Sequence, residues 1–202
     1  MKIGFNLLLW TTNLKSKDFH LLEILKKTGF DGVEVPIFEG TPENYHNIAA
    51  QLKNLGLECT GVSVIPDEEH NPISSNKIKR NKAKDFLKWA VDCNYALNSK
   101  ILSGPFYQPL GKFSGFAPTK MEKHNGSEVH KEVANYAKKY GIILCIEPLN
   151  RFECYFLNTM ADAYEYVKLV DEDNFKILYD TFHANIEEKD PIESISKFSD
   201  KI

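Results

Sequence analysis

Short apolar runs alternate along this chain with longer stretches in which apolar residues recur every third or fourth position. The runs Ile3–Trp10, Gly32–Phe38, Glu58–Ile65, Lys100–Gly104, Ile142–Glu147 and Phe175–Asp180 read as strands. The periodic stretches between them read as helices. Ser16 can cap a helix that carries Phe19, Leu22, Ile24 and Leu25 and stops at Gly29. Thr41-Pro42-Glu43 supplies an N-cap, a proline in the first turn and an early acid, with Gly56 closing that helix. Further helices are expected over Ser75 to Ala96, Ser127 to Tyr140, Thr159 to Val170 and Pro191 to Phe198. One junction recurs in Gly29-Phe30-Asp31, Gly56-Leu57-Glu58 and Gly141-Ile142-Ile143: a helix, a terminating glycine, the next strand.

Six strand-then-helix units in a row imply a parallel sheet with helical crossovers. A doubly wound sheet and a (β/α) barrel both satisfy the pattern. The barrel is favoured, because Trp10, Gly104-Pro105, Glu147 and Asp180 stand at the C-terminal ends of their strands, where barrel sites form. No glycine-rich phosphate loop follows the first strand, which counts against a nucleotide-binding doubly wound fold. At about 34 residues per unit, eight units would need roughly 270 residues. The 202 residues therefore read as one domain, 1–202, an incomplete TIM-type barrel with six of eight βα units.

Composition narrows the function. Forty-three per cent apolar and 26 per cent charged residues describe an ordinary globular chain. A net charge of −3 leaves no basic footprint for nucleic acid or an anionic membrane, and no apolar run approaches a membrane span. The four cysteines lack CxxC spacing, and buried thiols in the strands around Cys59 and Cys145 suit a reducing, cytoplasmic setting.

The chemistry concentrates in two places. The strand ending at Ile146 runs straight into Glu147, with Glu153 six residues on; the strand starting at Phe175 ends in Asp180, with His183 three residues on. A carboxylate at the end of a buried strand is costly unless it is paired or holds a metal. Plainer readings exist for each group. Glu147 could pair with Arg151, Asp180 could cap a helix, Glu153 could be a solvated loop acid, and His183 could be structural. Trp10 and Phe182 could be rim packing. Glu34 reads as an internal hydrogen-bond partner, and His20, His46, His70, His124 and His130 as surface residues.

Glu147-Pro148-Leu149-Asn150-Arg151-Phe152-Glu153 and Asp180-Thr181-Phe182-His183-Ala184-Asn185-Ile186-Glu187-Glu188 resemble the two signature segments of the D-tagatose and D-psicose (allulose) 3-epimerases, within the xylose-isomerase-like barrel superfamily. The resemblance spans the chain, including Lys2-Ile3-Gly4 and Trp10. It implies a divalent ion, Mn²⁺ before Co²⁺ or Mg²⁺, with Glu147 and Asp180 as two of its four ligands. It implies Glu147 as one of two catalytic carboxylates, and Glu153, His183 and Trp10 as contacts to a free ketose. The reaction implied is inversion at C3 through an enediolate, in a homo-oligomer. The ligands and second catalytic carboxylate that the family takes from strands seven and eight have no counterparts here, so an inert or merely binding fragment is one alternative. A sugar isomerase of the hydroxypyruvate type is another. Leu14 stands where related epimerases often carry a second Trp, which puts the sugar preference in question.

Overall fold

The computed structural model describes residues 1–202. Six parallel strands form one sheet in sequential order: β1 (Gly4–Asn6), β2 (Gly32–Pro36), β3 (Glu58–Val62), β4 (Ile101–Gly104), β5 (Ile143–Ile146) and β6 (Phe175–Ile177). Between them run α1 (Phe19–Thr28), α2 (Pro42–Leu55), α3 (Lys77–Ala96), α4 (Lys120–Lys138) and α5 (Met160–Val170), followed by α6 (Thr181–Glu187) and α7 (Pro191–Phe198). Sequential order with a helix at every crossover is the barrel progression. The sheet is open between β1 and β6, so the barrel is incomplete, with six units present.

Strand alternation explains which face is apolar. Val33, Val35, Leu102, Leu144, Ile146, Phe175 and Ile177 point outward under the helices and are at most 2 per cent exposed. Each such burial is worth about 1.5–3 kcal/mol, which drives the helices onto the sheet. The opposite face carries Asn6, Glu34, Thr60, Ser103, Cys145 and Lys176 and is largely polar. Glu34 has the internal role expected of it. It accepts hydrogen bonds from Asn6 (2.8 Å), Thr60 (3.2 Å) and Ser103 (2.8 Å), joining four strands across the interior.

The recurring glycine junction is a left-handed stop: Gly29, Gly56 and Gly141 have φ of 100°, 63° and 66°. Gly104, at the end of β4, is glycine for another reason. With φ 129°, a Cβ there would lie 2.2 Å from the Ser63 carbonyl oxygen. That close approach sets the end of β4, whose Gly104 carbonyl then accepts the Glu147 N–H at 3.1 Å.

Several elements differ from the sequence expectation. The first strand is short, not Ile3–Trp10. Asn6 ends it by accepting the Leu8 N–H (2.8 Å), which turns Leu7–Leu9 into a 3₁₀ turn. Helix α4 starts at Lys120 rather than Ser127, because Thr119 and Glu122 form a reciprocal capping box. Helix α6 was not expected as an element. Its cap is Asp180, which accepts the N–H groups of Phe182 (2.6 Å) and His183 (3.3 Å). His130 is not a surface residue. It is fully buried, with Nδ1 2.6 Å from the Tyr166 hydroxyl and Nε2 3.1 Å from the Phe106 carbonyl. Cys59 and Cys145 are half-buried, whereas Cys93 and Cys154 are buried; all four are free thiols.

Candidate active site

The strand ends surround a cavity of about 500 Å³, lined by Asn6, Glu34, Glu147, Glu153, Asp180 and His183 together with apolar side chains such as Val62 and Leu178. Strand β5 delivers Glu147, one residue past its last paired position, and the hydrogen bond to Gly104 holds that backbone in place. Asp180 comes from the end of β6 and leads into α6, whose first turn carries His183. Donor atoms of Glu147, Asp180 and His183 all lie within 4.8 Å of one another. The two strand ends flagged in the sequence therefore meet in one site.

The Glu147 carboxyl is pushed up to about 8, chiefly by burial and then by the negative charge of Asp180 beside it, with smaller contributions from Glu34 and Glu153. Burial also raises Glu34, against the lowering effect of its Ser103 and Thr60 hydrogen bonds. No Arg or Lys side chain bonds Glu147. The plain pairing with Arg151 does not form, because Arg151 turns away to Glu187, with Nη2 2.8 Å from Oε2. Two carboxyl groups this close, with Glu147 largely desolvated and neither bonded to a Lys or Arg, favour a proton or a cation shared between them. The two neighbouring carboxylates offer oxygen donors that suit an oxygen-seeking divalent ion.

Asp180 combines the cap role with the site role. One carboxylate oxygen, Oδ1, caps α6, and the other, Oδ2, lies 3.9 Å from His183 Nε2. Glu153 is exposed at the cavity edge, its Oε1 accepting from the Asn150 side-chain amide at 2.8 Å. His183 is 8 per cent exposed, and its Nδ1 accepts the Asn150 backbone N–H at 3.1 Å. Trp10 does not line the cavity. It stacks on Phe5 at a ring separation of 4.4 Å and stays 45 per cent exposed, while Asn6 and Leu8 occupy the wall. Phe182 is likewise exposed. Leu14 is buried away from the cavity, beside Phe19 and Ile48, so it has no direct contact with this site.

Sequence reasoning passed over Asn6 and Asn150. Asparagines acquire such roles only through distant partners, although Asn150 stands inside the quoted Glu-Pro-Leu-Asn segment. A second cleft, of about 450 Å³, opens beside the loop after β4. Its Glu122 is engaged by the Thr119 cap and the Tyr155 hydroxyl, so it offers no comparable free pair.

Residues 22–202 match the family model described as xylose isomerase-like TIM barrel. The chain is 31% identical to a D-psicose 3-epimerase of Ruminiclostridium cellulolyticum, covering 93% of this chain and 65% of that protein. It is also 31% identical to a D-psicose 3-epimerase of Agrobacterium fabrum, covering 93% and 66%. A crystal structure of D-psicose 3-epimerase with D-tagatose, from Clostridium cellulolyticum, superposes with a TM-score of 0.85 at 28% identity, covering 98% of this chain and 71% of that one. The chain thus spans about two thirds of the length of these relatives.

Proposed function

Because this chain belongs to the xylose isomerase-like TIM barrel family, we propose that its strand-end cavity removes the C3 proton of a free ketose, the first half of a metal-dependent C3 epimerisation. The observation that carries the reading is the close Glu147–Asp180 pair at adjacent strand ends, half-buried in the cavity, with His183 beside it. The D-psicose 3-epimerases that resemble the chain, one solved with D-tagatose, support a ketose as the substrate class.

Glu147 and Asp180 would hold a divalent cation, Mn²⁺ first, with Co²⁺ or Mg²⁺ as substitutes. When bound, such an ion supplies Lewis-acid polarisation of the substrate carbonyl and lets both carboxylates stay ionised. Glu147 then takes the C3 proton on a side-chain oxygen, a general-base step that leaves an enediolate in the substrate. Glu153 accepts from a sugar hydroxyl, and the His183 ring donates to the carbonyl oxygen. Glu34, fixed by three hydrogen bonds, keeps the cavity floor polar and in register. Leu8, rather than Trp10, supplies an apolar contact at the cavity wall.

Inversion also needs an acid on the opposite face of the sugar. The six strands here do not carry one by motif match, so full epimerisation depends on a second carboxylate from elsewhere, such as a second copy in a homo-oligomer. The four free thiols support a reducing, cytoplasmic setting.

The test is NMR in deuterated water, with Mn²⁺ and either D-fructose or D-tagatose. Deuterium entering at C3 supports the proton abstraction, and a C3 epimer extends it to full inversion. An aldose product would instead favour the sugar isomerase. No exchange with Mn²⁺ bound would overturn the general-base role of Glu147.

A further inference from the structure

A hydrogen-bond network ties the segment after β5 to α6 more firmly than a surface loop requires. The backbone N–H of Asn150 donates to His183 Nδ1 at 3.1 Å. The side-chain amide nitrogen of Asn150 lies 2.9 Å from that same ring nitrogen and donates to Glu153 Oε1 at 2.8 Å. Its amide oxygen accepts the Phe152 N–H at 2.9 Å, which fixes the orientation of the amide group. Asn150 is 2 per cent exposed. The next residue extends the tie. The Arg151 backbone N–H and guanidinium both donate to Glu187, at 2.7 to 3.1 Å, and the Glu187 side chain is only 5 per cent exposed.

A backbone N–H can only donate, so His183 Nδ1 must present its lone pair. The neutral ring then carries its proton on Nε2. That nitrogen is 3.9 Å from Asp180 Oδ2, beyond hydrogen-bond distance.

We propose that Asn150 is a positioning residue that fixes His183 in the Nε2–H form, as a donor toward the cavity rather than a metal ligand, and holds Glu153 beside it as an acceptor. The four groups that converge in the cavity then divide into two kinds. Glu147 and Asp180 take a cation, and His183 with Glu153 forms a donor–acceptor pair matched to a carbonyl next to a hydroxyl. The identity of that ligand rests on the ketose reading; the tautomer and the hold on Glu153 do not.

Nitrogen-15 NMR of the imidazole groups in the full chain tests this, with His183→Asn identifying the His183 signals. The expected result is a protonated Nε2 and an unprotonated Nδ1 at neutral pH, unchanged when Mg²⁺ is added to saturation. A proton on Nδ1, or loss of the Nε2 proton on adding Mg²⁺, overturns the proposal. Asn150→Ala keeps the backbone donor and so is expected to keep the Nε2–H form while releasing Glu153. Its KM for the ketose should rise about ten- to hundredfold, the usual cost of losing an orienting partner, with kcat little changed. A fall in kcat at constant KM overturns the hold on Glu153. If Asn150→Ala does not fold, the wild-type spectrum decides alone. An inactive wild type with the expected tautomer sinks the epimerase reading and leaves this one standing.

Discussion

Acid should unfold this protein through a histidine far from the cavity chemistry. His130 on α4 is fully buried where four parts of the fold meet: its ring lies near the Phe106 carbonyl after β4, the Tyr166 hydroxyl on α5 and the Phe175 ring on β6. Burial pushes the imidazole down to about 4, with the Phe106 carbonyl opposing only in part. In the unfolded chain it titrates near its ordinary value of about 6.5. The folded form therefore binds fewer protons, and stability is fully present above about pH 6.5 and declines as pH falls through about 4. The gap between those values corresponds to about 3 kcal/mol, a large share of a typical total of about 5–15 kcal/mol. Protonation would also set an N–H against the Tyr166 O–H, which donates to Nδ1 in the neutral form. Urea unfolding of wild type and His130→Gln, compared at about pH 7 and about pH 4.5, isolates this group because all other titrations are shared. The wild type should lose about 2–3 kcal/mol more than the variant over that interval. Equal losses would refute the argument that a buried neutral His130 governs acid sensitivity.

Other expectations concern the cavity and its supports. Glu147 titrates in the opposite sense: its folded value of about 8 lies above the unfolded one, so its burial is harmless in acid and increasingly costly as pH rises from about 4.5 through about 8. Metal-free Glu147→Gln should therefore melt higher than wild type at about pH 8.5, by roughly 3–5 kcal/mol, and Mn²⁺ should stabilise only the wild type. A variant melting at or below wild type would contradict this. Gly104→Ala should lower stability by at least about 3 kcal/mol, because its Cβ would meet the Ser63 carbonyl at a positive φ. Gly29→Ala meets nothing within 4 Å and should cost only about 1 kcal/mol, so equal urea midpoints for the two would refute the steric account. Arg151→Ala removes the guanidinium from the enclosed Glu187 carboxylate, leaving it only the residue-151 backbone N–H, and should raise hydrogen exchange in residues 149–155; unchanged exchange there would rule out the tie to α6.

How far the sequence carried the fold depended on the range of each interaction. Gly29, Gly56 and Gly141 announced themselves because a helix stop is a local event, read from one residue and its neighbours. The carboxylates at the ends of β5 and β6 were legible for a similar reason: an acid at the edge of an apolar run is anomalous wherever it folds. The capping box at Thr119 and Glu122 was equally local but lay within a polar segment, so the start of α4 was placed too late. What stayed hidden depends on residues far apart in the chain. Arg151 could pair with the nearby Glu147 on paper, but its partner lies 36 residues on, at Glu187. His130 looked like one histidine among several until Tyr166 and Phe106 enclosed it. Asn6 ended the first strand early by satisfying a backbone donor that a pattern of apolar residues does not record.

The two strands at the margins of the open sheet, β1 and β6, are three residues long, against five in β2 and β3. A bare strand edge is a template on which other chains can grow, and its potency scales with the number of unpaired amides it offers in line. Here each margin presents too few to seed a continuous cross-chain ladder, and the turn after Asn6 bends the chain away before the row can lengthen. Cross-β aggregation should therefore start with wholesale unfolding rather than at the native margins. In solution, the folded chain should tolerate high concentration better than its unclosed sheet suggests.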